Sequence, residues 1–467
     1  MINNGQRYKK SGIAKSLSLG KIAIFVGKRN LKLIINMKRI ALLAFSLLVT
    51  LTTLSAQTFE EYFTDQTLRI DYTFSGNSTE QYVALRELSS TDGWWGRRVN
   101  LDDVPLEGNG DLTLYDAATG RVIYKTSFSS LFQEWITTPE AATISKSFEF
   151  TLLVPMPLNN VTAEIILRDN TGKESKLRHT ISPADRLIRD RSKQQALPYK
   201  YMHKGSDSKD AIDVVILAEG YTAEEMDIFF EDAMITTNEI LGYEPFKSHK
   251  EKFNFIAVVS PSKDSNVSVP QDGQWRETAV GSNFLTFYMD RYLTSGNVYA
   301  MYDLATNIPC EHFIILANTD TYGGGGIYNS YTLTTAHHRD FRPVVVHEFG
   351  HSFAGLGDEY FYLSTDNNDE MHSLQHEPWE PNITTLVDFK SKWADMVAEG
   401  IEIPTQVTEE RSKNYTVGVY EGGGYRAKGI YRPVDVCRMR NNTAERFCPV
   451  CERAIERVIL HQTVETK

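Results

Sequence analysis

The sequence predicts a multidomain chain, an amino-terminal all-β sandwich followed by an α/β (α+β) domain. Three observations predict it. Short alternating strand runs recur at roughly ten-residue spacing from about 58 to 185. A polar, charged stretch follows, ending in Lys204-Gly205-Ser206-Asp207-Ser208-Lys209-Asp210. Beyond it, continuous apolar runs alternate with helical patterns, as in sheets covered by helices.

In the first part, Leu68–Phe74 and Phe148–Val154 alternate apolar and polar residues. Ser75-Gly76-Asn77, Ala118-Thr119-Gly120 and Asp169-Asn170-Thr171-Gly172 supply the turns. No ligand cluster or nucleophile pattern stands out there. A folding partner or substrate-positioning module is the plain reading, ahead of a dedicated carbohydrate- or protein-binding role.

In the second part, Ile212–Ala218 reads as a buried strand, with further strands at Phe253–Val259 and His312–Ala317. Thr222-Ala223-Glu224-Glu225 is a capping box that opens a helix running toward Leu241. Tyr322-Gly323-Gly324-Gly325-Gly326-Ile327 precedes a helical pattern over Phe341–Ala354.

The chain has 467 residues, room for two or three domains. Residues 1–56 carry ten Lys or Arg and no Asp or Glu. Met37-Lys38-Arg39, the apolar run Ile40–Leu54 and Ser55-Ala56 have the parts of a secretory signal peptide. The apolar run is short for a membrane span, which needs about twenty residues. The predicted boundaries are therefore 1–36, an extension ahead of the true start; 37–56, the signal peptide; 57–190, the sandwich; 191–210, a linker; and 211–467, the second domain. Past residue 56 the chain keeps 39 basic against 60 acidic residues, a formal charge of −21. So acidic a surface disfavours nucleic acid and anionic membranes. No other stretch is long and apolar enough to span a bilayer, so no integral membrane segment is expected in the mature chain. Export to the periplasm, the cell surface or the medium of a bacterium is expected. The oligomeric state has no signature in the sequence.

The chemistry centres on His347-Glu348-Phe349-Gly350-His351. Two His four apart on a helix project from one face, a turn apart, and can grip one Zn²⁺. Glu348 points to a neighbouring sector, where it reaches water without occupying the metal. A catalytic zinc needs a third protein ligand and an open position. Gly355 and Gly357 let the chain stop its helix and return, which makes Asp358 the expected third ligand. Glu359 is the runner-up, and a distant His or Glu comes third. Tyr360 and Tyr431 are candidate oxyanion donors, with packing the plainer role for each. An edge strand to pair with extended substrate is sought at 312–317 or 327–335, with the glycine run as a close backbone approach or a loop.

The cysteines are Cys310, Cys437, Cys448 and Cys451. In an exported chain they point first to disulfides, for example Cys437 to one of the Cys448/Cys451 pair. A second, structural zinc on Cys437, Cys448 and Cys451 with a fourth ligand is the alternative, and free thiols the third. Asp366–Glu370 and the Glu377–Asn382 loop offer oxygen ligands for Ca²⁺, although no EF-hand spacing is present and a solvated acidic loop fits better.

Cys437-Arg438-Met439-Arg440 resembles the methionine turn of the metzincins. More broadly, HEFGHSFAGLGDEY at 347–360, EPWEPNIT at 377–384, GGGYRAKGIYRP at 422–433, CRMR and FCPVCERAI resemble the IgA-specific metallopeptidases of bacteria, a metzincin-like group. The resemblance covers roughly 205–460, and the β-domain is similar to that of Bacteroides-type members. It implies a metzincin-like zinc peptidase domain with His347, His351 and Asp358 as ligands, Glu348 as general base and Met439 as the methionine-turn residue. The usual metzincin third ligand falls six residues after the second His, where this chain has Gly357; Asp358 lies one further on.

The function expected is a secreted zinc endopeptidase that hydrolyses protein or peptide substrates with Glu348 as base. The alternatives are an exported binding or adhesion protein on a peptidase-like fold, and a zinc amidase acting on cell wall.

Overall fold

The computed structural model describes residues 58–363 and 371–464. The expected extension, the signal peptide and the acidic stretch Asp366–Glu370 lie outside the described residues.

The amino-terminal region is β-rich, as period-two alternation requires. Strands β1 (Phe63–Gly76), β2 (Gln81–Asp92), β3 (Gly110–Asp116), β4 (Val122–Phe128), β5 (Lys146–Pro157), β6 (Val161–Arg168), β7 (Glu174–Ile181) and β8 (Arg189–Asp190) form two four-stranded sheets. Their orders are β5-β1-β2-β8 and β4-β3-β6-β7. In β6 every second residue is buried. Ile70 and Phe74 of β1, Leu114 of β3, Leu152 of β5 and Ile165 of β6 meet in one core. The three turns read from the sequence join β1 to β2, β3 to β4 and β6 to β7.

The rest of the chain supplies further sheets with helices. Strands β9 (Tyr199–Lys204), β10 (Ile212–Glu219), β11 (Phe253–Val258), β12 (His312–Ala317), β13 (Gly324–Ile327) and β14 (Tyr331–Thr335) make a six-stranded sheet, order β13-β14-β12-β10-β11-β9. Its inner strands pair in parallel, while β9 and β13 are antiparallel edges. Every residue of β10 is buried, because both sheet faces are covered. Val214, Ile216 and Ala218 face one core, Val215 and Leu217 the other. Helices α1 (Met226–Ile240), α2 (Phe341–Ala354) and α3 (Pro449–Thr463) pack into the first of these. The capping box forms, with Thr222 N–H donating to Glu225 at 2.8 Å, and opens a short 3₁₀ turn that runs into α1. Strand β9 falls within the stretch read as a linker. Only Met202 of its six residues is buried, so an edge strand there leaves almost no apolar signal.

The strands sought as a substrate edge differ in place. Both β12 and β14 have neighbours on each side, and the edge beyond them is β13, built from the glycine run itself. A strand of Gly324-Gly325-Gly326-Ile327 has no side-chain alternation to announce it.

A small sheet, order β15-β17-β16, joins β15 (Phe361–Tyr362), β16 (Tyr420–Gly423) and β17 (Tyr425–Arg432). All described residues lie in one compact unit. The β-rich part touches the α/β part close to β13: Tyr328 N–H donates to Ser129 Oγ, and Ser129 N–H to Tyr328 O, both at 2.9 Å. Among the described residues, no helix is long and apolar enough to cross a membrane.

Candidate metal centre and active site

Helix α2 carries the motif because its local signals agree. Pro343 sits in the first turn, where its missing N–H has no partner to lose. Val344, Val345, Val346, Phe349 and Phe353 are buried around it. The helix ends at Gly355, which is left-handed with φ of 60°. Gly355 N–H caps His351 O at 2.9 Å, and the chain doubles back.

That reversal brings the predicted ligands together. His347 Nε2 and His351 Nε2 lie 3.0 Å apart. Asp358 Oδ1 is 3.0 Å from the first and 3.4 Å from the second. Each imidazole is oriented from behind. His347 Nδ1–H donates to Arg438 O at 3.0 Å, and His351 Nδ1–H donates to Leu356 O. A carbonyl can only accept, so both protons sit on Nδ1 and both Nε2 lone pairs face inward. Asp358 Oδ1 is buried and has no hydrogen-bond donor. With both imidazoles neutral, three converging acceptors repel one another; a cation among them, a proton on an imidazole or a metal ion, reverses the sign. Two imidazoles and a carboxylate are a donor set suited to a divalent ion of the zinc kind.

The electrostatics follow from the same convergence. Burial works against ionised Asp358, but His351 and His347 outweigh it and hold its carboxyl well below the usual range. Burial lowers His351, yet Asp358 lifts it to about 9. Burial pushes Glu348 upward, with the two imidazoles acting the other way.

Glu348 lies beneath β13. A Cβ at Gly324 would sit 2.9 Å from Glu348 Oε1, and one at Gly326 would meet Glu348 O at 2.3 Å. Only glycine lets this strand approach the helix so closely. Met439 lies on another side of α2: a Cβ at Gly350 would be 2.9 Å from its sulfur.

The expected oxyanion donors separate. The Tyr360 ring lies 6.5 Å from His347, and its hydroxyl accepts from Arg291 at 3.1 Å. Tyr431 is tied by its backbone to Thr384, at 3.0 and 2.8 Å, toward the far end of β17. At the near end, Tyr425 O–H donates to Asp358 Oδ2.

Glu359, the runner-up ligand, turns away from the histidines. It joins Cys437, Cys448 and Cys451, all fully buried. Among the described residues all four cysteines are free in this structure, with Cys437 Sγ and Cys451 Sγ 3.8 Å apart. The Glu377–Asn382 loop reaches the site through Asn382. Asn382 accepts from Gly357 N–H at 2.6 Å and donates to Gly357 O and to Glu359, each at 2.9 Å. It thus braces the turn that presents Asp358.

Sequence reasoning missed Tyr425, Asn382 and the carbonyl of Arg438. Glu134, from the β-rich region, was missed too. It accepts from Tyr292 O–H, and burial lifts its carboxyl to about 7. Tyr425 stands in the distinctive string at 422–433, which no ligand chemistry explained, and Asn382 in the 377–384 string, read only for calcium oxygens.

Comparison with known families adds two matches. A family model described as IgA Peptidase M64 matches residues 201–416 and 407–459, more than half of the chain. A second, described as Peptidase M64 N-terminus, matches residues 58–178. No curated protein matches the chain. The chain belongs to the IgA peptidase M64 family.

Proposed function

We propose that this chain is an exported zinc endopeptidase of metzincin-like fold. It would cleave extracellular or host proteins in the manner the family name implies, with Glu348 as general base. Membership of a peptidase family makes it a peptidase acting on protein substrates. The observation that carries the finer reading is the convergence of His347 Nε2, His351 Nε2 and Asp358 Oδ1 beside Glu348.

His347, His351 and Asp358 would hold the ion. A zinc ion there supplies a Lewis acid and lowers the pKa of water to about 7. Glu348 accepts the proton of the attacking water and returns it to the leaving amine. Arg438 O and Leu356 O keep both imidazoles in the ligating tautomer. Met439 gives α2 an apolar floor. Strand β13, at the sheet edge over Glu348, offers backbone groups to an extended peptide, although Gly324 already bridges Tyr292. Export is supported by the basic and apolar pattern of residues 37–56.

The test is a purified chain, stripped by chelator and restored with zinc, given immunoglobulin A, unfolded protein and peptidoglycan. Zinc-restored cleavage of protein, abolished in Glu348→Gln, is the expected result. Wild-type cleavage by Glu348→Gln would overturn the base assignment. Peptidoglycan cleavage alone would favour an amidase, and activity on neither polymer a binding protein.

A further inference from the structure

The carboxylate next in sequence to Asp358 belongs to a different cluster. Glu359, Cys437, Cys448 and Cys451 each offer one atom, and these four atoms lie within 4.8 Å of one another. All four residues are 0% exposed. Cys437 Sγ and Cys451 Sγ are 3.8 Å apart. A tetrahedron with Zn–S arms of about 2.3 Å has an edge of about 3.8 Å. Cys451 Sγ lies 3.2 Å from Glu359 Oε1, close to the corresponding sulfur–oxygen edge.

Backbone donors reach two of the three sulfurs. Cys437 Sγ accepts the N–H groups of Met439 at 3.4 Å and Cys448 at 3.3 Å. Cys448 Sγ caps α3 and accepts Cys451 N–H at 3.5 Å. Donors aimed at sulfur favour the thiolate, the form that binds metal. Glu359 Oε2 is buried with no hydrogen-bond partner, and such an orphan is costly without a cation. Four protein donors also complete a tetrahedron, leaving no place for water or substrate.

We propose that Glu359, Cys437, Cys448 and Cys451 form a second, closed site for a structural divalent metal of the zinc kind. The site would clamp three segments. Glu359 follows Asp358, Cys437 lies two residues before Met439, and Cys448 and Cys451 open α3. Glu359 N–H already donates to Met439 O at 2.9 Å, on the same seam. A metal there fixes the turn that presents Asp358 relative to the turn that holds His347 through Arg438 O.

The proposal does not depend on peptidase activity, and its test avoids it. The full chain carrying His347→Ala and His351→Ala is purified without chelator, and its metal is counted. About one zinc per chain is expected to remain. Cobalt(II) in its place should give a thiolate charge-transfer band in the near ultraviolet. Adding Cys451→Ser should weaken that band and the binding. Adding Glu359→Gln, which keeps three sulfurs and the side-chain shape, should retain the band and weaken binding. A metal-free double variant, or a cobalt spectrum without the sulfur band, overturns the proposal. So does the loss of two titratable thiols per chain in protein unfolded without reductant, because a disulfide would then occupy the site.

Discussion

Asp358 and Glu359 are adjacent acids with opposite destinations. Asp358 meets two imidazoles whose side chains keep 12% and 15% of their exposure. Glu359 meets three thiols with none. The first cluster offers three donors and a way in, which suits chemistry. The second offers four and no way in, which suits structure. Residue type alone does not decide between the two uses; the number of donors and access to water do. Alternating side-chain direction along an extended chain is enough to send neighbours to opposite clusters.

The comparison breaks first at Glu348. It is assigned as base rather than ligand, so Glu348→Gln should lower kcat by about 10³-fold or more while leaving bound metal unchanged. Metal analysis beside steady-state kinetics checks both halves. Metal lost in proportion to activity would move Glu348 into the ligand set and leave the open site without a base.

The adjacent pair gives the next effect. Asp358→Asn should empty the histidine site and abolish cleavage, with the thiolate metal retained. Glu359→Gln should leave the histidine metal in place and show its main effect in thermal unfolding, as a lower apparent Tm. Equal loss of both metals in both variants would mean that the two clusters are one cooperative unit.

Legibility in the sequence followed the range of the interactions. Helix α2 could be read because Pro343, the apolar run and Gly355 are local signals. Strands β10 and β12 could be read because burial on both faces demands unbroken Val, Ile and Leu. The placement of Asp358 beside the histidines was readable from the glycine turn just before it. Glu359 was not, because its sulfur partner Cys451 lies 92 residues away, and a lone acid carries no mark of what it meets. Strand β13 was obscured for the opposite reason: its closeness to Glu348 requires glycine, which removes the alternation that identifies strands.

That closeness supplies a third prediction, smaller than the ligand variants. Gly326→Ala places a methyl 2.3 Å from Glu348 O and 2.7 Å from His351 Cβ. Relieving such an overlap costs about 1–3 kcal/mol. Catalysis should fall while the thiolate metal stays, because the displaced helix face belongs only to the open site. A cobalt spectrum of the thiolate site altered by Gly326→Ala would show that strain crosses between the clusters.

The smallest effect concerns one hydroxyl. Tyr425 O–H donates to Asp358 Oδ2, across 67 residues of sequence, and leaves Oδ1 for the metal. Tyr425→Phe removes that donor and keeps the ring stacked against Tyr362 at 6.4 Å. Supporting hydrogen bonds to ligands are worth roughly 10- to 100-fold in metal affinity or activity. About tenfold weaker zinc retention against a chelator is therefore expected. Tyr431 is the control, six residues along the same strand and so about 20 Å away. Tyr431→Phe should retain zinc as the unaltered chain does. If the two substitutions weakened retention equally, support for Asp358 would not come from the Tyr425 hydroxyl but from the strand as a whole.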